Sequence, residues 1–295
     1  VIADRLLEGS RAHYHRPPVN SSSLPYTMLI LLVELAVGSI AVVTVFDIRG
    51  QVTRGYVKAG ALTVVPLAIL AAWTFATLGP TEEIGGYTLN SDWFDAARIG
   101  VGAFTVVAVA QAIAVLAERR RAGIILGAVA GIIGGLALIA IGVLIAPPAW
   151  SLVGVVGSLL AGAMLLGAAL MSMMWGHWYL TSGRLPKEPM EQMALLVFGA
   201  VILQTVFVVL GVVIPAREVP LSEGSIGVAL SANPAFWLRV CVGLLFPAAL
   251  SWLAWRTARI RGMMSATGLL YLALGALLAG DVLARGLLFT TGHAV

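Results

Sequence analysis

The sequence predicts an all-α polytopic integral membrane protein, a bundle of about eight transmembrane helices with both termini on the outer side. Three observations carry that prediction. The 295 residues are 60% hydrophobic and only 11% charged, with a mean hydropathy of +0.97, where an ordinary soluble domain holds roughly 25% charged residues. Eight stretches reach the roughly 20 apolar residues that a helix needs to cross a bilayer core. Lys and Arg concentrate in alternate links between those stretches. Soluble enzyme classes are excluded by this composition. Nucleic-acid binders are excluded too, although the pI is near 9.6, because the formal charge is only +4 and the basic residues sort to one membrane face.

The elements follow in chain order. Residues 1–25 form a polar outward tail containing "HRPPVNSSS". The tail has no short apolar core of a signal peptide, and the first residue, Val1, points to a processed or incomplete start. Residues 26–289 form a single transmembrane domain, with spans expected at about 26–46, 57–79, 99–117, 123–146, 150–175, 194–214, 236–255 and 264–289. Polar or Pro-containing breaks separate them: "DIRGQVTRGYVK", "ERRRAG", "APPAW", "TSGRLPKEPMEQ" and "WRTARIRGMM". Two longer loops occupy 80–98 and 215–236. The spans read as uninterrupted, with kinks expected at Pro66 and Pro247. Residues 290–295 are a short tail.

Eleven of the 18 basic residues lie in the links after the first, third, fifth and seventh spans. The positive-inside rule puts those links in the cytoplasm and both long loops outside, with a bacterial inner membrane as the expected location. Arg5, Arg11 and Arg16 of the amino-terminal tail count against this orientation.

Small residues mark where helices should meet. Gly123, Gly127, Gly131 and Gly135 recur every four residues in the fourth span, and Gly154, Ser158 and Gly162 offer a matching face on the fifth. "APPAW" is short enough to force an antiparallel return, so the two faces are expected to pack as a hairpin. The other reading turns the glycine ridge toward a partner subunit.

Ionisable residues inside spans are costly and therefore informative. Glu34 in the first span and Asp281 in the eighth are expected at one depth, about 12 Å below the outer boundary at 1.5 Å per residue. Arg285 follows Asp281 at i+4, and Gln111 and Gln204 lie deeper. Two readings are open. Glu34, Asp281 and Arg285 line an outward-opening polar pocket suited to proton-coupled transport or quinol oxidation. Alternatively Asp281 and Arg285 pair with each other, while Glu34 bonds a backbone group or a neighbouring subunit.

The fifth span ends in "MMWGHWYLTSGRLP". Trp175, Trp178 and Tyr179 read as an aromatic belt at a cytoplasmic helix exit. His177 beside them, if functional, is a lone donor or proton relay for a quinone carbonyl or a partner-held cofactor. The other histidines, His13, His15 and His293, fall in the outward tails. They therefore cannot join His177 as paired haem ligands, and a haem shared with another subunit is the remaining, less favoured form. His13 and His15 with His293 are a weak candidate outward metal site, against the reading as a solvated tail. No metal is expected from Cys241, the single cysteine, which reads as a small buried apolar side chain. Nucleotide-binding and hydrolase motifs are absent.

Three functions follow. The first is a membrane subunit of a respiratory or photosynthetic electron-transfer complex, anchoring partner subunits and contributing a quinone site or proton path. Such a subunit is non-catalytic or quinone-interacting rather than a stand-alone enzyme. The second is a proton-coupled small-molecule or ion transporter, against which stand the uninterrupted spans and the lack of a visible repeat. The third is a non-catalytic scaffold. Eight spans with both ends outside is similar to the membrane anchors of polysulfide and dimethylsulfoxide reductases. The similarity is one of topology alone and implies no residue roles.

Overall fold

The computed structural model describes residues 23–149, 151–182, 185–218 and 230–295. Among them are eight helices long and apolar enough to cross a membrane, which makes this an integral membrane protein. They are α1 (Leu24–Ile48), α2 (Arg54–Thr77), α3 (Phe94–Leu116), α4 (Arg120–Ile145), α5 (Leu152–Ser182), α6 (Glu188–Val213), α7 (Pro234–Arg259) and α8 (Met263–Thr291). Each overlaps one expected span. The largest departure is α5, which continues seven residues past the expected exit at 175, because no proline interrupts "GHWYLTS" and its one glycine, Gly176, is packed against α8.

The helices form two successive rings of four. In the first, α1 packs on α2, α2 on α3, α3 on α4, and α4 returns to α1. In the second, α5, α6, α7 and α8 close in the same way. The rings share a seam in which α1 packs on α5 and α8, and α5 touches α2 and α4. Accordingly α1, α5 and α8 are the most buried helices, while α2, α3, α4, α6 and α7 expose an apolar outer face, with Trp73, Ile99, Val106, Ile132, Val209 and Leu253 uncovered. A helix apolar all round suits a protein core on one side and lipid on the other.

The seam depends on two glycines. A Cβ added to Gly167 of α5 would stand 2.0 Å from the carbonyl carbon of Gly38 on α1, and one on Gly38 would stand 1.7 Å from the Ala163 carbonyl oxygen. The helices cross here backbone to backbone, as small residues permit.

The expected glycine ridge on α4 does not form as one strip against α5. Gly123 meets Val115 of α3 and Gly127 meets Thr44 of α1, while Gly131 and Gly135 face open space. A four-residue step overshoots the helical turn of 3.6 residues, so such a row rotates steadily around the axis. The buried stripe instead alternates steps of three and four through Gly123, Gly127, Ala130, Gly134 and Ala137. On the fifth helix, Gly154 is buried, but Ser158 and Gly162 turn toward α6, α1 and α8 rather than toward α4.

The short links charge one end of the bundle. Asp47 accepts from Arg120 and lies near Arg54, Lys58 pairs with Glu118, and Lys187 with Glu191. The opposite end carries the longer loops. There β1 (Glu83–Ile84) and β2 (Tyr87–Thr88) form an antiparallel hairpin around Gly85 and Gly86, both at positive φ, the two-residue turn geometry that favours glycine. Tyr87 is fully buried, packs edge-on against Phe289 of α8, and donates its hydroxyl hydrogen to the Ile145 carbonyl at the end of α4. The Asn90 amide donates to the Leu144 carbonyl at 2.8 Å. The hairpin thus satisfies carbonyls that a helix end leaves unpaired.

The seventh helix is interrupted. Residues Cys241–Leu245 form a π-helical turn just before Pro247. Proline has no N–H to give and crowds the carbonyl four residues back, and a π turn absorbs that mismatch. Cys241, expected to be buried, is exposed on the bundle surface at the start of this turn.

Candidate functional site

Two places gather chemistry. The first is a lateral groove toward the basic end, between α2, α5 and α8. Its volume is about 390 Å³. Two glycines shape it. A Cβ on Gly176 would stand 2.5 Å from the Thr267 hydroxyl of α8, and one on Gly55 would stand 2.2 Å from the Trp178 ring. Both flanking helices therefore lie close to α5, and the space between them is walled by Tyr56, Ala59 and Thr63 of α2, Leu170, Met173, Met174, His177 and Trp178 of α5, and Tyr271 of α8. His177 and Tyr271 are exposed at the mouth, where Tyr271 Oη and His177 Nδ1 are 3.2 Å apart. The groove is largely apolar and polarizable, with a histidine–tyrosine hydrogen-bonding handle at its mouth.

This changes the reading of the aromatic cluster. Trp175 is fully buried and stacks edge-on against Tyr56 with centroids 5.1 Å apart, so it is a core residue and not part of a belt. The Tyr56 hydroxyl donates to the Met171 carbonyl at 2.9 Å, fixing the back wall. Tyr179 is half-buried outside the groove lining. His177 sits on a continuing helix and not at its exit.

The second place is an ionic core at the seam. Arg285 Nη2 donates to Glu34 Oε1 at 2.6 Å and to Asp281 Oδ1 at 3.1 Å. Glu34, Asp281, Arg285 and Arg239 are between 0% and 3% exposed. The expected outward-opening pocket is thus a closed core, and the Asp281–Arg285 pair is not self-contained, since Glu34 completes it from the other ring. Glu34 lies ten residues after Leu24 and Asp281 ten before Thr291, about 15 Å from their helix ends at 1.5 Å per residue. Gly162 of α5 makes the space: a Cβ there would stand 2.7 Å from Glu34 Oε1 and 2.9 Å from Arg285 Nη2.

Arg239 is the residue of this core that sequence reasoning missed, as it missed Tyr56 and Tyr271 of the groove. A helix start at 236 makes Arg239 a boundary charge of the loop end. The helix begins instead at Pro234, with the Asn233 side chain capping the Ala235 amide, which carries Arg239 more than a turn inside. An N-cap asparagine followed by a proline at the first helical position is a legible start signal. Arg239 then reaches along the Gly243–Gly280 contact, its Nη1 within 3.3 Å of where either glycine's Cβ would stand.

The two buried glutamines are not brought to this core as a pair. Gln204 Nε2 of α6 donates to Ser158 Oγ of α5 at 3.2 Å. Gln111 is buried on α3, whose packing partners are α2 and α4. His293 is held by the Thr291 carbonyl at 2.9 Å, and His13 and His15 lie outside the described residues. Among the described residues no group of three or more His, Cys, Asp or Glu is placed to hold a metal ion. No family model matches the chain, and no curated protein matches it in sequence.

Proposed function

We propose that the chain is an integral membrane subunit of an electron-transfer complex and binds a quinone or quinol in the lateral groove. The observation that carries this reading is the groove itself: an apolar, aromatic- and methionine-walled slot open to the side of the bundle, with one histidine–tyrosine handle at its mouth. A quinone needs an apolar slot, ring faces to stack on and a group that exchanges a hydrogen bond or proton with its carbonyl. A lateral opening suits a ligand that arrives dissolved in the bilayer. His177 Nε2 or the Tyr271 hydroxyl serves the carbonyl, and Met173, Met174 and Trp178 hold the ring. Oxidation of a quinol here releases two protons and passes two electrons to a redox centre held by a partner subunit, docked at the basic end. That end faces the cytoplasm of a bacterial inner membrane by the distribution of Lys and Arg.

A second reading, a proton-coupled transporter, is favoured by the ionic core at the ring seam, since charged residues within spans mark ion and proton paths.

The test is purification in mild detergent from native membranes, followed by extraction and quantification of bound quinone and identification of retained subunits. Retained quinone that is lost in Ala59→Phe, which fills the groove, and weakened in His177→Ala supports the first reading. Wild-type protein that neither retains quinone nor takes it up on incubation rejects it. Solute or proton flux in liposomes abolished by Glu34→Gln supports the second reading.

A further inference from the structure

We propose that Glu34 and Asp281 form a buried proton-binding site that stores one exchangeable proton between them, reached from the loop end through water bonded to Arg239. This goes beyond the quinone reading and does not depend on it. Gly162, beside the core, lies fifteen residues from His177 on α5, about 22 Å at 1.5 Å per residue.

The geometry supplies four arguments. First, one guanidinium nitrogen, Arg285 Nη2, holds an oxygen of each carboxyl group, at 2.6 and 3.1 Å, and so draws the two carboxyls together. The two bonded oxygens are therefore no more than about 5.7 Å apart. Two carboxylates at such range favour a shared proton over two full charges. Second, the remaining oxygens, Glu34 Oε2 and Asp281 Oδ2, are buried without a hydrogen-bond partner among the described residues. A proton bridging the pair satisfies acceptors that are otherwise costly to bury.

Third, Arg239 is fully buried, and among the described residues its Nε and Nη2 hydrogens have no partner and neither has Arg285 Nε. Unpaired donors and unpaired acceptors side by side call for a molecule that both donates and accepts. Water does so, whereas an anion only accepts and a metal ion only takes lone pairs. Fourth, the proton can leave again. With all four side chains ionised the core is neutral, so releasing the stored proton takes it from +1 to zero and strands no net charge. Among the described residues, no charged group within the membrane besides these four faces Glu34. The helices packed on α1 add only Asp281 and Arg285 from α8, while α2 and α4 carry charges only at the basic end and α5 places Gly162 there. The α7 side adds Arg239, which lies five residues inside its helix start and nearest the loop end of the four.

Infrared spectroscopy of the purified wild-type protein in lipid nanodiscs, compared in water and in deuterium oxide, tests this directly. The expected result is a protonated-carboxyl C=O stretch present at neutral pH that shifts on deuterium exchange. A weakly hydrogen-bonded internal-water O–H stretch should also shift in oxygen-18 water. Glu34→Gln and Asp281→Asn should each remove or shift that one carboxyl band, because both groups hold the same proton. Absence of the exchangeable carboxyl band, or of the internal-water band, in the wild type overturns the proposal whatever the variants do. A band present in the wild type and unchanged in both folded variants places the proton elsewhere and overturns it too.

Discussion

The crossing of α1 and α5 should tolerate no added carbon at Gly167. A Cβ there falls 2.0 Å from the Gly38 carbonyl carbon, about 1.4 Å short of the 3.4 Å at which ordinary contact begins, and its other close neighbours are also backbone atoms of α1. Backbone has no rotamer to change, so the helices must part. Parting them loosens the seam along its length, with loss of packing at Ala163, Ile40 and Val37, all of which are buried. Overpacking typically costs 1–3 kcal/mol, and with rigid atoms facing each other Gly167→Ala should reach about 3 kcal/mol or more. Gly131→Ala and Gly135→Ala supply the control, because a Cβ at either meets nothing within 4 Å. They should fall within about 0.5 kcal/mol of wild type, as substitutions away from packed features do. Unfolding in mixed micelles of increasing denaturing detergent, followed by far-UV circular dichroism and by protease nicking, measures both. Equal destabilisation by Gly131→Ala and Gly167→Ala would refute the reasoning, since it would mean that lipid contact governs these glycines and not the seam; helix propensity favours alanine at both and cannot produce it.

Three further outcomes are expected. Arg285→Met should cost about 3–5 kcal/mol by leaving two buried acidic groups to the one remaining cation, Arg239, and adding Glu34→Gln, which leaves Asp281 and Arg239 to balance each other, should recover part of that loss; a double variant as unstable as the single one, in the same unfolding assay, argues against charge as the cause. Tyr87→Phe should cost about 1–2 kcal/mol, because it leaves the Ile145 carbonyl without its side-chain donor. Burial pushes the Tyr87 phenol above its usual range, so the group remains a donor in alkali and the wild-type-to-variant difference should be flat with pH. At the basic end, the hydrogen bond from Lys58, and then its charge, holds the Glu118 carboxyl below the usual range. A depressed carboxyl favours the folded state above the ordinary Glu range, near pH 4.3, and loses that effect as the pH falls through its folded value. Carbon-13 titration of labelled glutamate should show Glu118 below its ordinary value in wild type and returned to it in Lys58→Met, and an unchanged Glu118 titration would show that the pair does not form in solution.

The helix count was legible because it rests on composition, which a bilayer enforces along the whole length of each span. What lies between helices was less so. The row of glycines at 123, 127, 131 and 135 reads as a ridge only if steps of four are treated as straight, and the partner of each glycine depends on how α4 is rotated, which α1 and α3 decide together. The pairing of Asp281 with Arg285 could be read from their spacing, but their bond to Glu34 is a contact between residues 251 apart in the chain. Arg239 was concealed by a boundary drawn two residues late, and in a membrane protein two residues decide whether a charge is counted in a loop or in the core. His177 and Tyr271 meet only because Gly176 admits α8, and no local pattern announces which helix a glycine will admit.

The two-ring arrangement has a consequence for the gene. A coding sequence divided in the link between Ile145 and Leu152 yields two products, each retaining a full ring of four helices. Neither product carries a whole site. Tyr56, Ala59, Thr63 and Glu34 travel with the first, and His177, Arg239, Tyr271, Asp281 and Arg285 with the second. Co-expression of the two halves should therefore rescue groove and ionic core together, and a seam-breaking substitution in either half should abolish both at once.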